Sequence, residues 1–162
     1  MNKNTGFTLI EVLITMLIMA VGLLGLAGLQ MMSLKNNQST YNRSQATQLA
    51  YDMADRIRAN MLEANNRLTS VYITKNPASA LVQNECATIS AACSITDMAE
   101  HDLFLWNQAV STTLPSGIGL IEVNGNVFSI TVNWDDNRDG TVDSDSNNTT
   151  PDDPNFKMSF QL

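Results

Sequence analysis

Gly6-Phe7-Thr8-Leu9-Ile10-Glu11-Val12-Leu13-Ile14 opens an apolar run that continues to Leu29 with only Thr8, Glu11 and Thr15 as clearly polar members. From Phe7 to Leu29 the run is 23 residues long. As a helix rising ~1.5 Å per residue, it is long enough to cross a ~30 Å hydrocarbon core. It exceeds the roughly 7 to 15 apolar residues of a cleaved secretory signal. Lys3 lies on its amino side and Lys35 is the first positive charge beyond it. That bias is small, but it leaves the amino end in the cytoplasm and the rest of the chain across the membrane.

Glu11 is the anomaly in this run, because a carboxylate costs ~2.5 kcal/mol or more at the centre of a bilayer. Two readings stand. If the first six residues are removed, Phe7 carries a new amino group one helical turn from Glu11, and the Phe7 amine of a staggered neighbouring helix can neutralise it. Alternatively, Glu11 snorkels to the interface. Gly22, Gly25 and Gly28, spaced by three, either let a neighbouring backbone approach or are ordinary glycines of a membrane helix.

The hexapeptide Gly6-Phe7-Thr8-Leu9-Ile10-Glu11 behind a short leader containing Lys3 resembles the class III signal of type IV prepilins. The resemblance extends through Val12-Leu13-Ile14, Val21-Gly22-Leu23-Leu24-Gly25 and Ala50-Tyr51-Asp52-Met53-Ala54-Asp55-Arg56-Ile57-Arg58-Ala59-Asn60-Met61. It continues to Asp102-Leu103-Phe104-Leu105-Trp106 and Leu114-Pro115-Ser116-Gly117. These stretches are similar to the PilV group of minor pilins, with the I-type minor pseudopilin of type II secretion the nearest competitor. The resemblance implies cleavage between Gly6 and Phe7 by a prepilin peptidase, N-methylation of Phe7, and Glu11 as the carboxylate that guides subunit docking. It also implies a single-pass inner-membrane protein with a periplasmic head, later built into a pilus at the cell surface. Its partners would be other minor pilins, the major pilin and the inner-membrane assembly platform, and its role would be to prime filament assembly.

Beyond the span, Leu49, Met53, Ile57 and Met61 recur every four residues beside Ala46, Ala50 and Ala54, one apolar stripe on a continuing helix. Asp52 with Arg56 and Glu63 with Arg67 are carboxylate-first pairs at i, i+4. The helix is expected to run from Phe7 to about Leu68. Residues 69 to 96 are rich in Ser, Thr, Asn and Ala and read as a connecting region. Cys86 and Cys93 lie there, on the side of the span where an oxidising compartment favours a disulfide over two thiols. Asp97 with Glu100 has capping-box spacing ahead of a short helix whose Leu103, Trp106 and Val110 share a face, ended by Pro115 and Gly117. Gly117 to Val123 and Val127 to Trp134 flank Asn124-Gly125 as a hairpin, with Phe128, Ile130, Val132 and Trp134 on one face. Phe156, Met158, Phe160 and Leu162 alternate again.

The fold expected is therefore α+β and pilin-like: a long N-terminal helix, half transmembrane, packed on a small antiparallel sheet of at least three strands. Its segments are a leader at 1–6, the transmembrane and assembly half of the helix at 7–29, its amphipathic half at 30–68, and a head of connecting loop and sheet at 69–162.

Net charge is -7, and seven aspartates between Asp135 and Asp153 face only Arg138. Without a Lys/Arg cluster, nucleic acid is not an expected partner on bulk charge. Asp135-Asp136-Asn137-Arg138-Asp139-Gly140-Thr141-Val142-Asp143 matches the first nine positions of an EF-hand-type loop. Ca²⁺ needs six to eight oxygens, which Asp135, Asn137, Asp139, the Thr141 carbonyl and Asp143 begin to supply, with Asp145 as the closing carboxylate. Position 12 itself is Ser146, so the alternative is a solvated polar loop. A calcium-dependent, membrane-anchored binding or adhesion module is the corresponding functional alternative. No sequence pattern supplies a catalytic site. His101, the only histidine, has no nucleophile to activate and reads as part of a polar helix face.

Overall fold

A computed structural model describes residues 6, 8–66, 69–83, 86, 93–142 and 153–162. It is an α+β chain in which a long N-terminal helix, α1 (Leu9–Ala59), packs on a three-stranded antiparallel sheet. Contacts divide it into two units, Met1–Thr40 and Tyr41–Leu162.

In the first unit, every described residue from Thr8 to Gln38 is exposed. α1 carries there an 18-residue stretch apolar enough to cross a membrane, none of it buried within the chain. Gly22, Gly25 and Gly28 have no neighbouring atom in the space a Cβ would fill. An apolar surface of this extent requires lipid or other helices around it.

The second unit holds the core. Asn42, Ala46, Ala50 and Ala54 recur every four residues along α1, and Met53 and Ile57 lie beside them; all six are buried. The alanines keep this face shallow, so α4 (Ile95–Thr113) can lay the fully buried Trp106 against α1, where its Nε1 donates to the Leu49 carbonyl at 2.8 Å. The stripe stops earlier than the sequence suggests. α1 ends at Ala59, and Asn60 leaves helical geometry while its Nδ2 donates to the Ile95 carbonyl at 2.6 Å. The single turn α2 (Met61–Ala64) is offset from α1, leaving Met61 49% exposed instead of in the core. Glu63 turns inward and accepts the Val71 N–H at 2.9 Å at the start of α3 (Val71–Thr74); its expected partner, Arg67, lies outside the described residues.

A 3₁₀ turn at Pro77–Ser79 leads towards Cys86, which forms the expected disulfide with Cys93 at a Cα separation of 5.0 Å. Because the bridge closes a short loop, replacing both cysteines with serine is expected to lower stability by about 2.5 kcal/mol. Reductant-free thermal melts of the full chain in detergent would measure this, and an unchanged midpoint would show that the bridge constrains nothing. α4 begins one residue after Cys93's neighbour Ser94, whose hydroxyl accepts the Asp97 N–H at 3.1 Å. The cap therefore lies one turn before the expected Asp97–Glu100 box, because Glu100 is engaged elsewhere, by Lys75 and the Leu81 N–H.

The sheet has the order β1-β2-β3, with β1 at Ile118–Asn124, β2 at Val127–Asn133 and β3 at Asn155–Gln161. Asn124 pairs with Val127, so the turn residues are Gly125 and Asn126, one position later than the expected Asn124-Gly125. Gly125 sits at φ 60°, the positive value that a tight hairpin needs at its first central position. Phe128, Ile130, Val132 and Trp134 all face the core, and Phe128 stacks on its cross-strand partner Phe160 at 5.6 Å between centroids. The Arg58 guanidinium covers the Phe160 ring at 4.5 Å, a cation–π contact from the last turn of α1.

Candidate functional site

Three groups of polar residues carry whatever chemistry the chain has: the start of α1, the acidic loop after β2, and a network joining α1, α3 and α4.

At the start, Gly6 is exposed and Phe7 lies outside the described residues. Glu11 sits in the first turn of α1, its N–H donating to the Thr8 carbonyl at 3.1 Å. Its side chain is exposed and forms no hydrogen bond or ion pair among the described residues. A carboxylate at a helix N-terminus is favoured by the helix dipole, so the position is stable in water and costly in lipid until a cation meets it.

In the acidic loop, the backbone is organised by its own side chains. Asp135 is buried, and its Oδ1 accepts the N–H groups of Arg138 (2.5 Å) and Asp139 (3.2 Å) while Oδ2 accepts that of Gly140 (2.9 Å). Asn137 Oδ1 accepts the Asp139 N–H at 2.8 Å, and Asp139 Oδ1 accepts both the N–H and the hydroxyl of Thr141, at 2.9 and 2.7 Å. Those Thr141 bonds, with one from Asn137, hold the Asp139 carboxyl below its ordinary value. The loop thus brings Asp135, Asn137, Asp139 and Thr141 into one run of turns. Asp143 and Asp145 lie outside the described residues. Among the described residues no three acidic, histidine or cysteine side chains are grouped so as to hold a metal ion. The described part of the loop supplies Asp135, Asn137, Asp139 and Thr141 of the expected calcium ligands, and no step is assigned to a cation.

The neighbouring Asp136, which the sequence reading passed over, docks the loop. Its Oδ1 accepts Nδ2 of the buried Asn42 on α1 at 3.2 Å and Nε1 of Trp134 at 3.1 Å, and its N–H donates to Oδ1 of the buried Asp153 at 3.2 Å. The acidic residues that look solvated in sequence fasten the end of β2 to the first head turn of α1.

The third group was also missed. Arg56 donates from Nε to Asp52 at 2.9 Å, as the i, i+4 spacing predicts, and from Nη1 to Asp102 of α4 at 3.1 Å. Tyr72 of α3 donates its hydroxyl to the other Asp102 oxygen at 2.7 Å. Burial works to lower the Arg56 pKa, but the Asp52 and Asp102 carboxylates together outweigh it and hold the guanidinium above its ordinary value. Burial and the adjacent Asp102 push the Tyr72 phenol strongly up, so it stays a donor. An open cavity of about 350 Å³ lies beside this network, lined by Arg56, Asn60, Ile95 and Met98 among others. His101, expected on a polar face, is instead buried at 9% exposure with its Nδ1 accepting the Gln83 N–H. The single histidine gives no periodic signal of its own, and Ala99 and Leu103 on either side share its burial.

None of these groups pairs a nucleophile with a base, whereas an exposed apolar helix with one unpaired carboxylate is suited to assembly with like helices. Comparison with known proteins agrees. The prokaryotic N-terminal methylation motif matches residues 1–27, and the family described as type IV pilin Tt1218 matches residues 28–104. No curated protein matches, and no solved structure matches. With two consecutive models covering the leader, α1 and most of α4, and a long helix packed on a small antiparallel sheet, the chain belongs to the type IV pilins.

Proposed function

We propose that this pilin is a minor subunit of the PilV-like kind, which helps prime assembly of a type IV pilus and is incorporated into it. The methylation motif over residues 1–27, lying on a helix whose apolar side chains from Leu9 to Leu34 are all exposed, carries this reading. Residues 1–6 are the leader, removed between Gly6 and Phe7 by the prepilin peptidase, and Phe7 is then methylated. Residues 7–29 hold the chain in the inner membrane as a single span, with the head on the periplasmic side. Residues 30–68 continue the helix region into the head, which 69–162 completes.

Assembly proceeds by lateral docking of the N-terminal helices, other minor pilins and the major pilin being the partners on the membrane platform. Glu11 receives the Phe7 amine of a neighbour, and two charges that are each costly in lipid neutralise one another. The pair fixes the stagger between helices, while the heads select the neighbour.

The N-terminal mass of the protein from membranes of its native host tests the reading. The expected mature chain begins at methylated Phe7, and a Gly6→Ala variant accumulates uncleaved. An intact amino terminus in the unaltered protein, or cleavage well inside the apolar run, would overturn it.

A further inference from the structure

Two consecutive residues of α4 hold one extended segment. Glu100 Oε1 accepts the Leu81 N–H at 3.0 Å and His101 Nδ1 accepts the Gln83 N–H at 3.4 Å, so N–H groups two residues apart are taken as an adjacent strand would take them. Among the described residues no backbone carbonyl accepts either of these N–H groups. Just beyond, the Cys86 N–H donates to the Gln83 carbonyl at 3.0 Å, and the disulfide returns the chain to Cys93 at the start of α4. One attachment to α4 is therefore covalent and the other is made by titratable side chains.

An imidazole accepts through Nδ1 only while neutral; once protonated, both ring nitrogens are donors. His101 is buried, so a protonated Nδ1 would point at the Gln83 N–H with little water to separate them. We propose that His101 is an acid-sensitive latch, whose protonation releases the Gln83 N–H at the point where the exposed Leu81 and Val82 lead towards the disulfide.

Among the described residues, the charged and titratable groups around α4 are otherwise engaged. Asp97 bonds Ser94, Glu100 bonds Lys75 beyond α3, Asp102 bonds Arg56 of α1 and Tyr72 of α3, Glu63 of α2 accepts from Val71 and Thr96, and Glu122 of β1 pairs with Lys157. None of them bonds His101. The Lys75 hydrogen bond, opposed by burial and helped by the Leu81 N–H and the Gln83 side chain, holds the Glu100 carboxyl below its usual range. Its grip on Leu81 is thus fully present above the ordinary carboxylate pKa and is lost only as pH falls through that depressed value. Histidines in general change charge between about pH 5 and 8, above the range in which this carboxylate lets go.

Hydrogen exchange at the Gln83 amide, read by NMR on the full chain in detergent micelles and corrected for intrinsic rates, tests the latch between pH 7.5 and 5.5. Protection is expected to fall about fivefold on acidification, the equivalent of one lost hydrogen bond, with β2 amides unchanged. His101→Gln, which cannot titrate, is expected to give a pH-independent value, and His101→Phe to lack protection at both pH values. If His101→Phe fails to fold, judged by the near-UV signal of Trp106 and Trp134, the glutamine variant decides. Constant protection in the unaltered chain, or the same fall in His101→Gln, would overturn the proposal. The test concerns the folded head and is independent of any role in assembly.

Discussion

Gly119→Ala is expected to lower the melting midpoint of the head by roughly 10 °C, a loss of about 3 kcal/mol. Gly119 stands in β1 where a side chain would normally point into the core, and a Cβ there would lie 2.4 Å from two ring carbons of Trp106. The ring cannot swing aside cheaply. It is fully buried, and its Nε1 is fastened to the Leu49 carbonyl at 2.8 Å. To admit even one methyl group, α4 must move relative to β1 or the indole must leave its hydrogen bond, and overpacking of either kind strains a close-packed interior. Melting by circular dichroism in detergent, with near-UV bands reporting the indoles, measures the effect. A midpoint within about 2 °C of the unaltered chain would mean that Trp106 has room the structure does not show.

Asp102→Ala is the second change expected to have a large effect. Its two oxygens receive Arg56 Nη1 at 3.1 Å and the Tyr72 hydroxyl at 2.7 Å, and its side chain is 11% exposed. Truncation leaves a phenol and a guanidinium without their acceptor. For a fully buried pair this costs about 3 to 5 kcal/mol, but Arg56 is 30% exposed and keeps Asp52, so about 2 to 3 kcal/mol is expected here. Asp102→Asn retains an acceptor for Tyr72 and is expected to recover about half of that loss. A double-mutant cycle with Tyr72→Phe separates the two bonds: if Asp102 and Tyr72 are coupled as the geometry indicates, the pair of changes costs less than their sum. Strict additivity would show that the network is not a unit.

Both changes concern contacts between different elements, and this is where sequence reading ran out. The long helix was legible because 23 nearly uninterrupted apolar residues have few other stable forms, and the hairpin because alternating strands flank a glycine turn, though the turn itself lies one position later than the sequence indicated. The end of α1 was not. Met61 keeps the four-residue spacing of Met53 and Ile57, yet Asn60 turns the chain to reach Ile95, a partner 35 residues away. Likewise the cap of α4 shifted to Ser94 because Glu100 was drawn to Lys75 and Leu81, and no local propensity announces that competition.

The acidic loop makes the same point in reverse. Its Asp/Asn/Gly spacing reads as cation chemistry, and Asp136, which has no place in that pattern, reads as surface charge. In the fold, Asp135 gathers the amides of 138 to 140 and Asp136 ties Asn42 to Trp134. An aspartate looks identical in sequence whether it meets water, a metal or a backbone amide, and only the neighbours brought by folding decide among them.

By itself, then, the sequence determined the apolar helix, its solitary Glu11, the disulfide, the strand faces and membership of a filament-forming family, since each is written in residues adjacent or periodic along the chain. The tertiary structure alone decided that Gly119 must stay bare, that Arg56, Tyr72 and Asp102 form one network, and that His101 is buried against the Gln83 backbone. These depend on groups 13 to 46 positions apart in the chain meeting in space, and no local periodicity encodes a meeting at that distance.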